Sequence, residues 1–186
     1  MNIIKTNAMM RLKRELDDLN KNPIENLSLT VGLIDDNNLF EWQCTLKGPS
    51  DSYYAGGLFY LHIFFPENYP NKSPEICFKT PIYHLNVNPN NCENSSSPEK
   101  LGHVCLSTLN WWKPEYTMRK VLSNVFSLLY RENPGSAYGQ NRREEYEKQK
   151  DLYEEKAKYF TKIYANPSRV KDPDYFDKWD FSQYQF

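Results

Sequence analysis

Apolar residues recur along this chain first with a helical period and then with a strand period. Met9, Leu12, Leu16 and Leu19 form one stripe of an amphipathic helix, with Arg11, Lys13, Arg14, Asp17 and Asp18 on the remaining surface. Asn22-Pro23 ends that helix. From Leu27 the period drops to two, with Leu27, Leu29, Val31 and Leu33 alternating with Ser28, Thr30 and Gly32. After the turn cluster Asp35-Asp36-Asn37-Asn38, Phe40, Trp42, Cys44 and Leu46 face one way, and Glu41, Gln43, Thr45 and Lys47 the other. Residues 58–65 are apolar at almost every position, which predicts a central strand covered on both faces. A shorter strand is expected over 75–80, beyond a proline-rich loop at 66–74. A helix followed by four strands with short connections predicts an antiparallel meander whose apolar face needs a lid.

The second half supplies the lid. Residues 81–116 show turn-forming clusters and no sustained period, whereas Met118, Val121, Leu122, Val125, Leu128 and Leu129 form a helical stripe with Thr117 as N-cap. Asn133-Pro134-Gly135 breaks it, and the polar stretch from Gln140 to Ala165 favours helix, with Tyr146, Tyr153, Ala157, Phe160 and Tyr164 for packing. Residues 1–7 read as a leader, 8–165 as one α+β domain, and 166–186 as a tail whose aromatic side chains dock on the body.

Composition narrows the function classes. Lys and Arg number 23 against 24 Asp and Glu, so no global positive field exists to hold nucleic acid, and no nucleic-acid partner is expected. Charges interrupt the first residues before an apolar run develops, and no stretch approaches the roughly 20 apolar residues of a bilayer span. The expectation is a soluble protein without a membrane partner. The four cysteines, at 44, 77, 92 and 105, are too scattered for a disulfide scaffold and fit a reducing compartment, cytoplasmic or nuclear.

The long connection at 81–116 is the candidate for chemistry. It holds His84, Asn86, Cys92, His103, Cys105, Trp111, Trp112 and Pro114. A metal site is one reading, but no paired Cys or His spacing of the usual kind is present and His103-Val104-Cys105 is an awkward chelate, so no metal is expected. A cysteine hydrolase with His84 or His103 as base is another, without a recognisable hydrolase signature around either histidine.

The third reading rests on motifs: Tyr83-His84-Leu85-Asn86, then Gly102-His103-Val104-Cys105-Leu106, then Trp112-Lys113-Pro114 and Thr117. Phe40-x-Trp42 with Gly48-Pro49, Tyr54-x-Gly56-Gly57, Phe65-Pro66-x-x-Tyr69-Pro70 and Asn133-Pro134 stand in matching order. This set resembles the ubiquitin-conjugating enzyme family over almost the whole chain. The resemblance implies that family's α+β fold: an N-terminal helix, a four-stranded antiparallel meander, an active-site loop, then three helices. It implies that Cys105 takes ubiquitin, or a ubiquitin-like protein, as a thioester from an activating enzyme and passes it to a substrate lysine without cofactor or metal. A conjugating enzyme for another modifier, such as Nedd8, and a non-catalytic member that only binds ubiquitin and ligases are the alternatives.

Site roles follow from the same resemblance. Asn86 matches the motif asparagine, which donates to the oxyanion or braces the loop. Tyr83, His84 and Leu85 complete the active-site loop, with His84 structural. Leu85 replaces the usual proline, and the lost φ restraint is expected to loosen Asn86. Ser136 stands where members carry a gating Asp or Ser beside the thioester; a hydroxyl can hydrogen-bond there but cannot act as a carboxylate base. Residues 88–100 form an insertion beside the active site, with Cys92 able to approach Cys105 on oxidation. Arg11 and Arg14 match positions that engage the activating enzyme, and RING-type ligases dock on that helix and on the loops at Asn71 and Pro114. Asn71 replaces the large aromatic of members that serve HECT-type ligases. Lys120, Ser123 and Ser127 lie on the helix face that would hold the donor modifier.

Overall fold

The computed structural model of the chain describes residues 3–25, 27–88 and 102–168. Helix α1 spans Ile3–Lys21 and is followed by strands β1 (Leu29–Leu33), β2 (Glu41–Lys47), β3 (Leu58–Phe64) and β4 (Glu75–Phe78). These pair antiparallel in the order β1-β2-β3-β4, the meander expected from the alternation. One-turn helix α2 (Ser107–Asn110), then α3 (Met118–Leu128), a single 3-10 turn at Pro134–Ser136, α4 (Gln140–Lys148) and α5 (Lys150–Tyr164) complete the described chain.

The register explains the core. Val31, Cys44 and Leu61 are successive cross-strand partners on one face, flanked there by Trp42, Leu46, Phe59 and Ile63. That face joins Ala8, Leu12 and Leu19 of α1 and Met118, Val121, Leu122 and Val125 of α3 in one continuous buried cluster. Burying a side chain of this size is worth about 1.5–3 kcal/mol, so the sheet and its helical lid hold each other in place. Thr117 caps α3 as expected, its side chain accepting the Lys120 N–H.

Four expectations change. Helix α1 begins at Ile3, so the described part of the leader is helical. Its buried face includes Glu15, a charged residue that hydrophobic periodicity passes over. Strand β3 is central, but Leu58, Tyr60, His62 and Phe64 on its second face are only half-buried. The polar stretch from Gln140 divides at Gln149, whose backbone leaves helical geometry; α4 buries nothing, while α5 buries Tyr153, Ala157, Thr161 and Tyr164.

Candidate active site

The segment that carries Cys105 is laced between β4 and residues 84–88. The Phe78 amide donates to the Gly102 carbonyl (2.8 Å), the Val104 amide to Ile76 (3.0 Å), the Asn88 amide to His103 (2.9 Å) and the Cys105 amide to Asn86 (2.8 Å). Gly102 is required here. Its φ of +72° disfavours a side chain, and a Cβ would come within 2.1 Å of the Phe78 carbonyl oxygen.

Of the three described cysteines, Cys44 and Cys77 are buried and Cys105 is half-exposed. Burial pushes the Cys44 thiol up to about 12 and the Cys77 thiol up to about 11, so both stay protonated and inert near neutral pH. The Asn110 carboxamide donates to Cys105 Sγ at 3.5 Å.

Behind the thiol the loop is held by side-chain hydrogen bonds. Asn86 has no exposure. Its Nδ2 donates to the carbonyls of Asn133 (2.7 Å) and Ser136 (2.9 Å), and its Oδ1 accepts the Asn133 amide (2.8 Å). Both carboxamide hydrogens are therefore engaged in bracing the loop to the 3-10 turn, which favours that role over donation to an oxyanion. His84 is fully buried; its Nδ1 accepts the Asn86 amide (2.9 Å), and Nε2 lies 3.0 Å from the Leu128 carbonyl. Those partners assign a neutral ring protonated at Nε2. Desolvation lowers its pKa to about 4, and with both nitrogens engaged it is neither a metal ligand nor a general base.

Leu85 is not loosened by the absence of proline. It is fully buried, and its amide donates to the Tyr153 hydroxyl at 2.8 Å, a bond that proline cannot make. Its carbonyl accepts the Tyr138 amide (2.8 Å), and Tyr138 Oη lies 3.0 Å from His103 Nδ1. Tyr83 donates to Glu145 (2.6 Å) under the Arg142 guanidinium, which stands 4.3 Å from the ring centre. Ser136 is half-buried, its hydroxyl accepting from Asn133 Nδ2 at 3.4 Å. Cys92 and residues 89–100 of the insertion lie outside the described residues.

A sheet with one helical lid, a braced Asn86 and a half-exposed Cys105 thiol is the arrangement that the motifs imply. A family model described as ubiquitin-conjugating enzyme matches residues 11–161. The chain belongs to the ubiquitin-conjugating enzyme family. Members of this family work with ubiquitin, an activating enzyme and ligases.

The residues expected at this conjugating enzyme's partner surfaces fall in two groups. Trp112 donates from its indole to the Pro70 carbonyl (2.6 Å), which ties the Pro114 loop to the loop of the exposed Asn71. Arg11 reaches the same region, donating to the Tyr116 carbonyl (3.1 Å). Arg11 Nε donates to Glu15, whose carboxylate also accepts the Tyr69 hydroxyl (2.8 Å) and the Met118 amide (2.5 Å). Arg11 and Glu15 together thus knit α1 to Tyr116 and to the first residue of α3, while Arg14 is exposed beside an open groove of about 300 Å³ that also includes Asp18, Glu115 and Arg119. Arg119 and Asn22 hold the Asp18 carboxyl below its usual range. On α3, Lys120 lies 4.0 Å from the centre of the Tyr116 ring, and Ser123 and Ser127 donate to the Arg119 and Ser123 carbonyls (both 2.9 Å).

Sequence reasoning missed Glu15, Asn110 and the hydroxyl of Tyr153. Glu15 stands three residues after Leu12 and four before Leu19, and that spacing is the signal that it faces inward. Tyr153 was legible as a packing residue, its hydrogen bond was not, and no local signal marks Asn110.

Proposed function

We propose that the chain accepts ubiquitin, or a ubiquitin-like modifier, as a thioester on Cys105 and transfers it to a substrate lysine with a RING-type ligase. The observation that carries this reading is the half-exposed Cys105 thiol on a loop fixed by four backbone hydrogen bonds, with the other described thiols buried. Both donor and recipient are whole proteins, so the sulfur must stand on an open shelf, and a shelf that moved would lose the alignment that attack requires.

In the first step, the Cys105 thiolate attacks the thioester of the loaded activating enzyme; a new C–S bond forms and the donor thiolate leaves. In the second, the neutral ε-amine of a lysine attacks the Cys105 thioester. The C–N bond forms, the C–S bond breaks with its electron pair remaining on Sγ, and the amine proton passes to solvent. Lysine has a reference pKa of about 10.4, so deprotonation limits this step near pH 7. Ser136 offers a hydroxyl there rather than a carboxylate, and orientation by the ligase would carry more of the work. The thiol must stay reduced, which suits the cytoplasm or nucleus.

The test is a charging assay with ATP and the activating enzymes of several modifiers. A reducible adduct with one modifier, absent in Cys105→Ala, is the expected result and names the modifier, ubiquitin or Nedd8 among them. Failure of every modifier to charge the protein would leave the non-catalytic binding alternative.

A further inference from the structure

We propose that Asn110 is a catalytic residue of this site, its carboxamide N–H stabilising the negative charge that develops on Cys105 Sγ as the thioester C–S bond breaks. The proposal rests on the thioester reading above. Among the described residues the donors around Cys105 are mostly committed elsewhere. Asn86 gives one carboxamide hydrogen to Asn133 and the other to Ser136. The Cys105 amide is committed to the Asn86 carbonyl, and both ring nitrogens of His84 face backbone groups. Among the described residues, the group aimed at the sulfur is Asn110 Nδ2, 3.5 Å away.

The side chain is exposed, but its backbone is held. Asn110 closes α2, its amide donating to the Leu106 carbonyl (3.0 Å). Thr108 and Leu109, the two residues before it, are buried, and Asn124 on α3 donates to the Thr108 hydroxyl at 2.6 Å. The carboxamide therefore projects from a fixed base beside the thiol, and two side-chain torsions decide its aim.

The interaction is differential, which is what catalysis needs. A thioester sulfur is neutral and a weak acceptor. When the amine attacks and the C–S electron pair moves onto sulfur, the same N–H faces an anion, and charge-assisted hydrogen bonds are about twice as strong as neutral ones. The donor thus strengthens as the leaving group departs and adds little to the resting thioester. It acts on the leaving group rather than on the nucleophile, so it should serve any amine equally.

The experiment loads wild type, Asn110→Ala and Asn110→Asp with ubiquitin, or with whichever modifier charges wild type, and follows single-turnover discharge to free lysine and to hydroxylamine. Thermal melting of each uncharged variant checks the fold. The expected result is a discharge rate at saturating amine about 10-fold lower for Asn110→Ala, by the same factor for both amines, with the half-saturating amine concentration and melting temperature unchanged. Asn110→Asp should be slower still, because its carboxylate repels the developing thiolate. Discharge of Asn110→Ala within twofold of wild type, a loss confined to lysine, or Asn110→Asp faster than Asn110→Ala would overturn the proposal. Failure of wild type itself to charge would overturn the thioester reading and this inference with it, and the two failures are distinguished by that control.

Discussion

Leu85 holds its loop by a hydrogen bond that exists only because the residue is not proline, and its removal can be costed. The Leu85 amide and the Tyr153 hydroxyl are 2.8 Å apart, and neither residue is exposed. Tyr153→Phe keeps the ring and deletes the acceptor, leaving a buried N–H without its partner at a cost of about 1–3 kcal/mol. The same change removes one donor from Glu132, but that contact is long (3.4 Å), and the Tyr54 hydroxyl remains 3.2 Å from the same oxygen. The expected loss is therefore about 2 kcal/mol, or a fall in Tm of about 4–8 °C for a domain of this size. Leu85→Pro deletes the donor and trades a fully buried leucine for a smaller ring, with a packing loss of about 1–3 kcal/mol. In the double variant neither half of the bond is left stranded, so its cost should fall short of the sum of the singles by about 1 kcal/mol. Urea and thermal denaturation of the four proteins measure this cycle. A Tyr153→Phe protein within 0.5 kcal/mol of wild type, or singles that add without coupling, would refute the reasoning.

Three further outcomes are expected. Glu15→Ala strands the Met118 amide and the Tyr69 hydroxyl and unpairs Arg11, so it should cost about 3–5 kcal/mol in urea denaturation, and a loss below 1 kcal/mol would mean that the network is ornamental. His84 titrates near 4 in the fold against about 6.5 unfolded, so the unfolded chain binds more protons between those values; up to about 3 kcal/mol of stability, complete above pH 6.5, should drain away as pH falls toward 4, and His84→Gln should flatten that part of the pH profile. With Ser136 in place of a carboxylate, discharge of the charged protein to free lysine should be slow without a ligase and faster in Ser136→Asp; fast ligase-free discharge by wild type in a single-turnover assay contradicts this.

The fold was legible where a single period governs a segment. The alternation Trp42, Cys44, Leu46 and the α3 stripe placed the sheet and its lid, because burial of one face is a local pattern with a global consequence. Cys105 and Asn86 were legible through motif order, which fixes residue types but not hydrogen-bond partners. What stayed hidden are contacts between residues far apart in sequence. Glu15 meets Met118 across 103 positions and Leu85 meets Tyr153 across 68, and no window along the chain contains both ends. Leu85 shows why such contacts matter to a reading by motif. Lost φ restraint alone predicts a looser loop, whereas the amide that proline lacks finds Tyr153 and replaces one restraint with another.

The same division of labour separates the two faces of the site. The carboxamide of Asn86 and the ring of His84 behind Cys105 are engaged by backbone, so they contribute position and have no hydrogen left for a reacting atom. The groups free to respond to charge stand on the solvent side, with Asn110 foremost. A similar split runs along α1, where Arg11 is engaged by Glu15 and Tyr116 while Arg14 remains exposed. Replacement of Arg11 should therefore register first as lost stability, and replacement of Arg14 as altered partner binding at constant stability. Two arginines three residues apart look equivalent in sequence, and it is the buried carboxylate of Glu15 that makes one of them structural.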